Sequence, residues 1–298
     1  MTRAKKLREK IENNELIKIG GAFDALSAKL VEINGFDGIW ASSFGISATH
    51  ALPDAGIMTM TEFLNVASSM TESCEIPIIA DCDTGFGGPT NVSHMIKKYE
   101  NIGIAGVSIE DKVFPKQNSL MENSNQELLS EKDFVAKIIA AKNARIDLDF
   151  MIIARTEALI ANKGMNEAIK RANAYADAGA DAIIIHSKQN NPSEVFEFAD
   201  KWEKSLPIIV IPTSYPSVTV DELIQHKIKM VIYANQSLRA AFVAMSKTLG
   251  ELRKANSSDK ISIEISTMED IFNVQQMYKL KSEERIIEEK LKKLGYIN

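Results

Sequence analysis

Eight short apolar runs, each rich in Ile or Val and each followed by an amphipathic stretch, constrain this chain more than any other feature. They lie at Ile17 to Gly20, Gly38 to Ser42, Pro77 to Asp81, Ala105 to Glu110, Phe150 to Arg155, Asp181 to His186, Pro207 to Pro212 and Met230 to Ala234. Continuous apolar runs of this length read as strands buried on both faces. The stretches after them read as helices: Ala25 to Ile33, Thr61 to Ser73, Asn91 to Asn101, Glu131 to Asn143, Asn166 to Ala178, Pro192 to Glu203, Val220 to Ile228 and Leu238 to Lys254. Ser130, with Asp133 three residues on, reads as an N-cap, and Gly35, Gly103 and Gly179 stand where helix-ending glycines belong. Eight such units in about 240 residues fit one closed (β/α)8 barrel. Two doubly wound halves are rejected, because no composition shift or Pro/Gly/Ser linker divides the middle.

The barrel is expected over residues 1–256 and a helical arm over 257–298. Within the arm, Lys260 to Ile265 reads as a short β-like run, and Thr267 to Leu294 is dense in Glu and Lys with apolar residues at helical intervals. That segment either covers its own barrel or packs on another subunit. With 35 basic and 40 acidic side chains the net charge is −5, which argues against a nucleic-acid binder. No apolar run approaches the ~18 residues of a membrane span. Two sparse cysteines, Cys74 and Cys82, and a Glu-interspersed N-terminus without an apolar segment point to the cytoplasm.

The strand ends carry the chemistry: Trp40 and Ser42, Asp81 and Asp83, Glu110 to Lys112, Arg155 and Glu157, His186, Thr213 and Asn235. In a barrel these ends converge on one face, where active sites are built. In Asp81-Cys82-Asp83 an extended backbone puts both carboxylates on one side, and Glu110 ends the next strand. Such an oxygen-only cluster either holds Mg²⁺ or Mn²⁺ or is paired with Arg and Lys. Arg155 and His186 suit a phosphoryl or carboxylate group opposite it. Gly85-Phe86-Gly87-Gly88 lacks the Gly-Lys-Ser/Thr ending of a phosphate loop, and there is no Gly-x-Ser-x-Gly or His-Glu-x-x-His. Lys112 or Lys188 offers a Schiff-base alternative.

In chain order, Asp81-Cys82-Asp83-Thr84-Gly85-Phe86-Gly87, Glu110-Asp111-Lys112 followed by Asn118-Ser119, Arg155-x-Glu157 and His186-Ser187-Lys188 resemble the phosphoenolpyruvate mutase family. The family belongs to the isocitrate lyase/phosphoenolpyruvate mutase superfamily, and the likeness spans roughly Gly20 to Asn235. It implies a Mg²⁺-dependent interconversion of phosphoenolpyruvate and 3-phosphonopyruvate, the entry to phosphonate biosynthesis. By position, Asp81 would ligate Mg²⁺ or Mn²⁺, while Asp54, Asp83 and Glu110 hold its waters. Trp40, Ser42 and the Ser43 and Phe44 amides would bind the pyruvyl end. Arg155, His186, Asn118 and Ser119 would hold the phosphoryl end. Lys112 to Leu120 would be a lid, with Lys116 adding charge on closure.

The resemblance also frames the alternatives. The lyase branch uses a Lys-Arg-Cys-Gly-His lid where this chain has Lys112-Val113-Phe114-Pro115-Lys116. Phosphonopyruvate hydrolases share the fold and metal site but depart around the Asn position, so Asn118-Ser119 follows the mutase pattern. Trp40-Ala41-Ser42-Ser43-Phe44 replaces the family's Trp-Gly-Ser-Gly-Leu, a change expected to alter backbone and substrate room. A homotetramer, as a dimer of dimers with a swapped C-terminal helix, is implied in the same way. A non-catalytic acid-binding barrel ranks below these, since the metal carboxylates are all present.

Overall fold

The computed structural model describes residues 1–121 and 124–297. Its order is α1 (Arg3–Asn13), β1 (Ile17–Ala22), α2 (Ala25–Ile33), β2 (Gly38–Ala41), α3 (Ser43–Thr49), α4 (Met60–Ser73), β3 (Ile78–Asp81), α5 (Pro89–Asn101), β4 (Gly106–Glu110) and α6 (Glu131–Ala144). It continues with β5 (Met151–Thr156), α7 (Met165–Asp177), β6 (Ala182–Ile185), α8 (Ser193–Lys201), β7 (Ile208–Val210), α9 (Val220–Gln225), β8 (Met230–Tyr233), α10 (Gln236–Leu252), α11 (Met268–Val274) and α12 (Met277–Lys293). The eight strands are parallel and close on themselves, β1 pairing with both β2 and β8. This is the (β/α)8 barrel expected from the alternation. The chain divides into two compact units, Met1–Ala240 and Ala241–Asn298, so the division falls within α10, earlier than residue 256.

Strand alternation sorts the side chains into two cores. Ile19, Trp40, Ile79, Met151, Ile153, Ala182, Ile184, Ile209, Met230 and Ile232 fill the inside of the barrel. Ile39, Ile78, Ala80, Val107, Ile109, Ile152, Ala154, Ile183 and Ile185 pack outward against the helices. Continuing the inward register past these residues reaches Asp81 after Ile79, Arg155 after Ile153 and His186 after Ile184. The period that builds the core therefore also aims the strand-end polar groups into the mouth.

Two helices lie outside the sequence expectation. In α1, Ala4, Leu7 and Ile11 share one face and are buried, and Leu7 and Ile11 join the inner core. Arg8 fixes the helix through Asp181 at 2.9 Å, and Arg3 donates to the Thr71 carbonyl at 2.7 Å. The stripe is only three residues wide among many charges, so it is faint in sequence. In α3, Gly45 and several β-branched or hydroxyl residues weaken the helix signal. Ser42 Oγ caps it from the Gly45 amide at 3.1 Å, and a Cβ on Gly45 would stand 2.9 Å from Phe23 Cβ.

Two expectations about the arm are corrected. Lys260 to Ile265 forms no strand; a short 3₁₀ turn at Ser258–Lys260 leads into irregular chain. An isolated apolar run with no partner strand has nowhere to send its backbone hydrogen bonds. The following helical stretch is broken in two at Gln276, whose φ of 56° interrupts the ladder between α11 and α12. Gly35, Gly103 and Gly179 adopt the positive φ expected of helix ends.

Because Leu7 is fully buried in the inner core, Leu7→Ala is expected to destabilise the barrel by about 2–5 kcal/mol. Denaturant unfolding measures this; a loss under about 1 kcal/mol would mean that α1 does not close the barrel.

Candidate active site

At the C-terminal ends of the strands a cavity of about 360 Å³ opens, within the usual size range for small-molecule sites. The proposed site residues Trp40, Ser42, Ser43, Phe44, Asp54, Asp81, Glu110, Lys116, Asn118, Ser119, Arg155 and His186 all line it. Asp83 does not; it reaches the site through Lys116, whose Nζ lies 2.6 Å from Asp83 Oδ1. Asp83 does not share an extended segment with Asp81, contrary to the expectation from sequence. β3 ends at Asp81 and Asp83 has φ 48°, so a turn, not strand alternation, sets its direction. Cys82 points outward into the helix-facing core, as expected.

Lys112 to Leu120 folds over the mouth. Lys116 Nζ stands 2.8 Å from Asp54 Oδ1 and 2.6 Å from Asp83 Oδ1, and donates to Ser43 Oγ at 3.3 Å. Ser43 Oγ in turn donates to Asp81 Oδ2 at 2.9 Å, a bond that a glycine there could not make. Asn118 Nδ2 donates to Asp54 Oδ2 at 2.8 Å, which brings the lid amide to the acidic side of the cavity. Asn118 Oδ1 accepts from the Leu120 amide at 3.0 Å. Phe114 is exposed and packs beside Gly56, so it caps the outside of the lid and does not line the cavity.

The carboxylates are strongly perturbed. Burial raises the Asp81 carboxyl, with Lys116 and Arg155 opposing. Burial, together with Asp81, Asp54 and Glu110, pushes Asp83 up to about 7 against the pull of Lys116. Burial disfavours the Lys116 ammonium, but Asp83, Glu110, Asp54 and Asp81 outweigh it and hold the group charged well above its ordinary range. Lys and Arg side chains reach the cluster: Lys116 bridges Asp54 and Asp83, and Arg155 Nε lies 3.4 Å from Glu110 Oε2.

Among the described residues no three His, Cys, Asp or Glu side chains converge on a point at ligand distance. The donor chemistry nevertheless fits a hard cation. All donors are oxygens, and Glu110 Oε1 is buried without a hydrogen-bond partner. Mg²⁺ keeps several waters, so it does not require convergent direct ligands.

On the opposite side, Arg155 Nη2 meets His186 Nδ1 at 2.8 Å, and His186 Nδ1 lies 3.0 Å from Glu157 Oε1. Burial and then Arg155 lower the His186 pKa, which favours a neutral ring. Glu157 is the group the site most depends on that has no assigned role in the resemblance. Burial opposes its charge, but Arg155, His186 and Lys112 hold it well below the usual carboxylate range. Asp111 faces elsewhere, into Tyr175, Arg171 and the Glu157 amide. Neither Schiff-base candidate is free: Lys112 donates to Ser119 Oγ and the Gln117 carbonyl, and Lys188 to the Ile160 carbonyl. Gln117, Leu120, Ile211 and Arg239 also line the cavity and were not singled out in the sequence. Ile211 belongs to the inner register and was legible as such; Arg239, on α10, carries no local signal.

If Asp81 holds a cation, Asp81→Ala abolishes divalent-metal-dependent turnover while circular dichroism keeps the native spectrum. Unchanged activity with added Mg²⁺ would remove Asp81 from the metal role.

Residues 7–253 match the family model described as phosphoenolpyruvate phosphomutase. Among curated relatives, the phosphonopyruvate hydrolase of Variovorax sp. is 40% identical over 92% of this chain and 95% of its own length. The phosphoenolpyruvate phosphomutase of Tetrahymena pyriformis is also 40% identical, over 94% of this chain and 93% of its own. The crystal structure of a phosphoenolpyruvate phosphomutase from Streptomyces platensis subsp. rosaceus superposes with a TM-score of 0.93 at 45% identity, covering 95% and 98% of the two chains. An enzymatic barrel mouth with a metal-type carboxylate cluster facing an Arg–His pair under a closed lid is thus joined to a match over most of the chain, and this chain belongs to the phosphoenolpyruvate phosphomutase family.

Proposed function

We propose that this chain is a phosphoenolpyruvate mutase, interconverting phosphoenolpyruvate and 3-phosphonopyruvate. The observation that carries the reading is the position of Asn118, held 2.8 Å from Asp54 in a lid closed over the cavity. From phosphonopyruvate, the P–C bond breaks and leaves its electron pair as the pyruvate enolate. The phosphoryl group then bonds to the enolate oxygen. No proton and no co-reactant enters, so the site needs positioning and charge stabilisation more than a base.

The residues divide the work by charge. Arg155, donating through its guanidinium, and His186, beside it, hold the phosphoryl oxygens. The neutral Asn118 amide donates a hydrogen bond to the phosphoryl group in transit, where an ionised carboxylate would repel it. Ser42 and the first amides of α3, which have no intrahelical acceptor, bind the pyruvyl carboxylate. Asp81, Asp83, Glu110 and Asp54 would hold Mg²⁺ or Mn²⁺, which supplies positive charge against the enolate. The closed lid keeps water from capturing the phosphoryl group.

The hydrolase reading is supported by the equally identical Variovorax relative. Phosphorus NMR of the protein with phosphonopyruvate, with Mg²⁺ and with EDTA, separates the two. Metal-dependent conversion to phosphoenolpyruvate is expected; inorganic phosphate with pyruvate would make it the hydrolase. Asn118→Ala is expected to lower mutase turnover by at least about 10²-fold, the scale of one preorganised donor. A fully active variant would refute the role.

The same reading includes a homo-oligomer built through residues 241–298. Its support is the exposed apolar surface on α10 and α12, including Phe242, Met245, Leu249, Ile286 and Ile287. Light scattering across micromolar dilution is expected to give a multiple of 33.0 kDa; a monomer mass throughout would contradict it.

A further inference from the structure

Glu157 follows β5 and is completely buried, and its two oxygens face two different parts of the site. Oε1 takes Arg155 Nε at 2.5 Å and faces His186 Nδ1 at 3.0 Å. Oε2 takes Ser119 Oγ at 2.6 Å and lies 3.3 Å from Lys112 Nζ. The first pair are strand-end groups. The second pair belong to the lid, and they are tied to one another, Lys112 Nζ donating to Ser119 Oγ at 2.6 Å. Arg155 Nη2 completes the circuit by donating to the same Ser119 hydroxyl at 3.1 Å.

We propose that Glu157 is the positioning residue that makes lid closure and the orientation of Arg155 and His186 a single event. A carboxylate with no access to water must have its charge met by partners. With the lid shut, both oxygens are met. When Ser119 and the lid leave, Oε2 exchanges its closest protein donor for water while Oε1 keeps Arg155, so this one carboxylate links the lid to the Arg155 side of the site. Arg155 has a role in this too: its Nη2 faces His186 at 2.8 Å and gains the Ser119 hydroxyl only in the closed state, so closure adds the last of its side-chain contacts. The charge is essential to the arrangement, because a carboxylate accepts on both oxygens and a carboxamide on one. A glutamine at this position would turn its amide N–H groups toward either Arg155 or the lid donors, and one side would be met by like groups.

The proposal rests on reading Arg155 and His186 as the phosphoryl-holding pair, and its test does not use turnover. Hydrogen exchange of backbone amides is followed by mass spectrometry in the unliganded wild type, Glu157→Gln, Ser119→Ala and the double variant. The lid at residues 113–120 is expected to exchange at least about tenfold faster in Glu157→Gln, with β5 and β6 unchanged. Ser119→Ala, which leaves the barrel and Glu157 in place, is expected to speed the lid as well. The double variant should exchange no faster than the faster single one, since both changes cut the same link. Unchanged lid exchange in Ser119→Ala overturns the proposal, even if Glu157→Gln fails to fold. Equal acceleration of the lid, β5 and β6 in Glu157→Gln overturns it as well, because Glu157 would then merely support the barrel. Absence of phosphonopyruvate conversion by the wild type would refute the reaction while leaving the exchange result to decide the coupling.

Discussion

Charge burial at the barrel mouth is the constraint on which the rest of the site depends. Asp83, Glu110 and Glu157 are withdrawn from water and Asp81 is half-buried, and each would be costly there alone. The structure resolves this with three cations of two origins. Arg155 comes from β5; Lys116 and Lys112 come from the segment folded over the mouth, Lys116 reaching Asp54 and Asp83 and Lys112 reaching Glu157. The acidic side is consequently met mainly by the segment over the mouth, while Glu157 is met from both β5 and that segment. A lid that carries part of the charge balance cannot open without exposing the carboxylates to water, and cannot close without drying them.

This arrangement suits transfer of a phosphoryl group within one molecule. Neither a nucleophilic side chain nor a proton shuttle is required for such a transfer, and the neighbouring lysines are engaged by Glu157, Ser119, Asp54, Asp83 and the Ile160 carbonyl. Ser43 extends the same balance. Where the family pattern has glycine, its hydroxyl links Asp81 to Lys116 and adds a contact between β3 and the lid. Phe44, half exposed, shares the cavity wall with Ser42 and Ser43, so the departure at these positions places side chains on the site.

How far the sequence could be read follows from periodicity. Apolar runs defined all eight strands, and their inward register placed Asp81, Arg155 and His186 at one mouth, because those positions repeat with a period of two. Asp83 lay outside that logic: its direction comes from a left-handed residue in a turn, which alternation does not describe. The α1 plug was missed since three apolar residues among charges make a weak stripe, and α3 because a glycine needed for packing suppresses helix propensity. The lid contacts were the least legible. Lys116 to Asp54 and Ser119 to Glu157 join segments far apart in the chain, and only the closed fold brings them together.

The central claim is that the closed mouth hands the phosphoryl group from carbon to oxygen without admitting water. Running the reaction from phosphonopyruvate in H₂¹⁸O and reading the label by mass spectrometry tests it most directly. The account predicts phosphoenolpyruvate whose non-bridging phosphoryl oxygens carry no ¹⁸O, and no labelled phosphate. Inorganic phosphate bearing ¹⁸O as the main product would contradict it, and would mean that the lid lets water into the transfer.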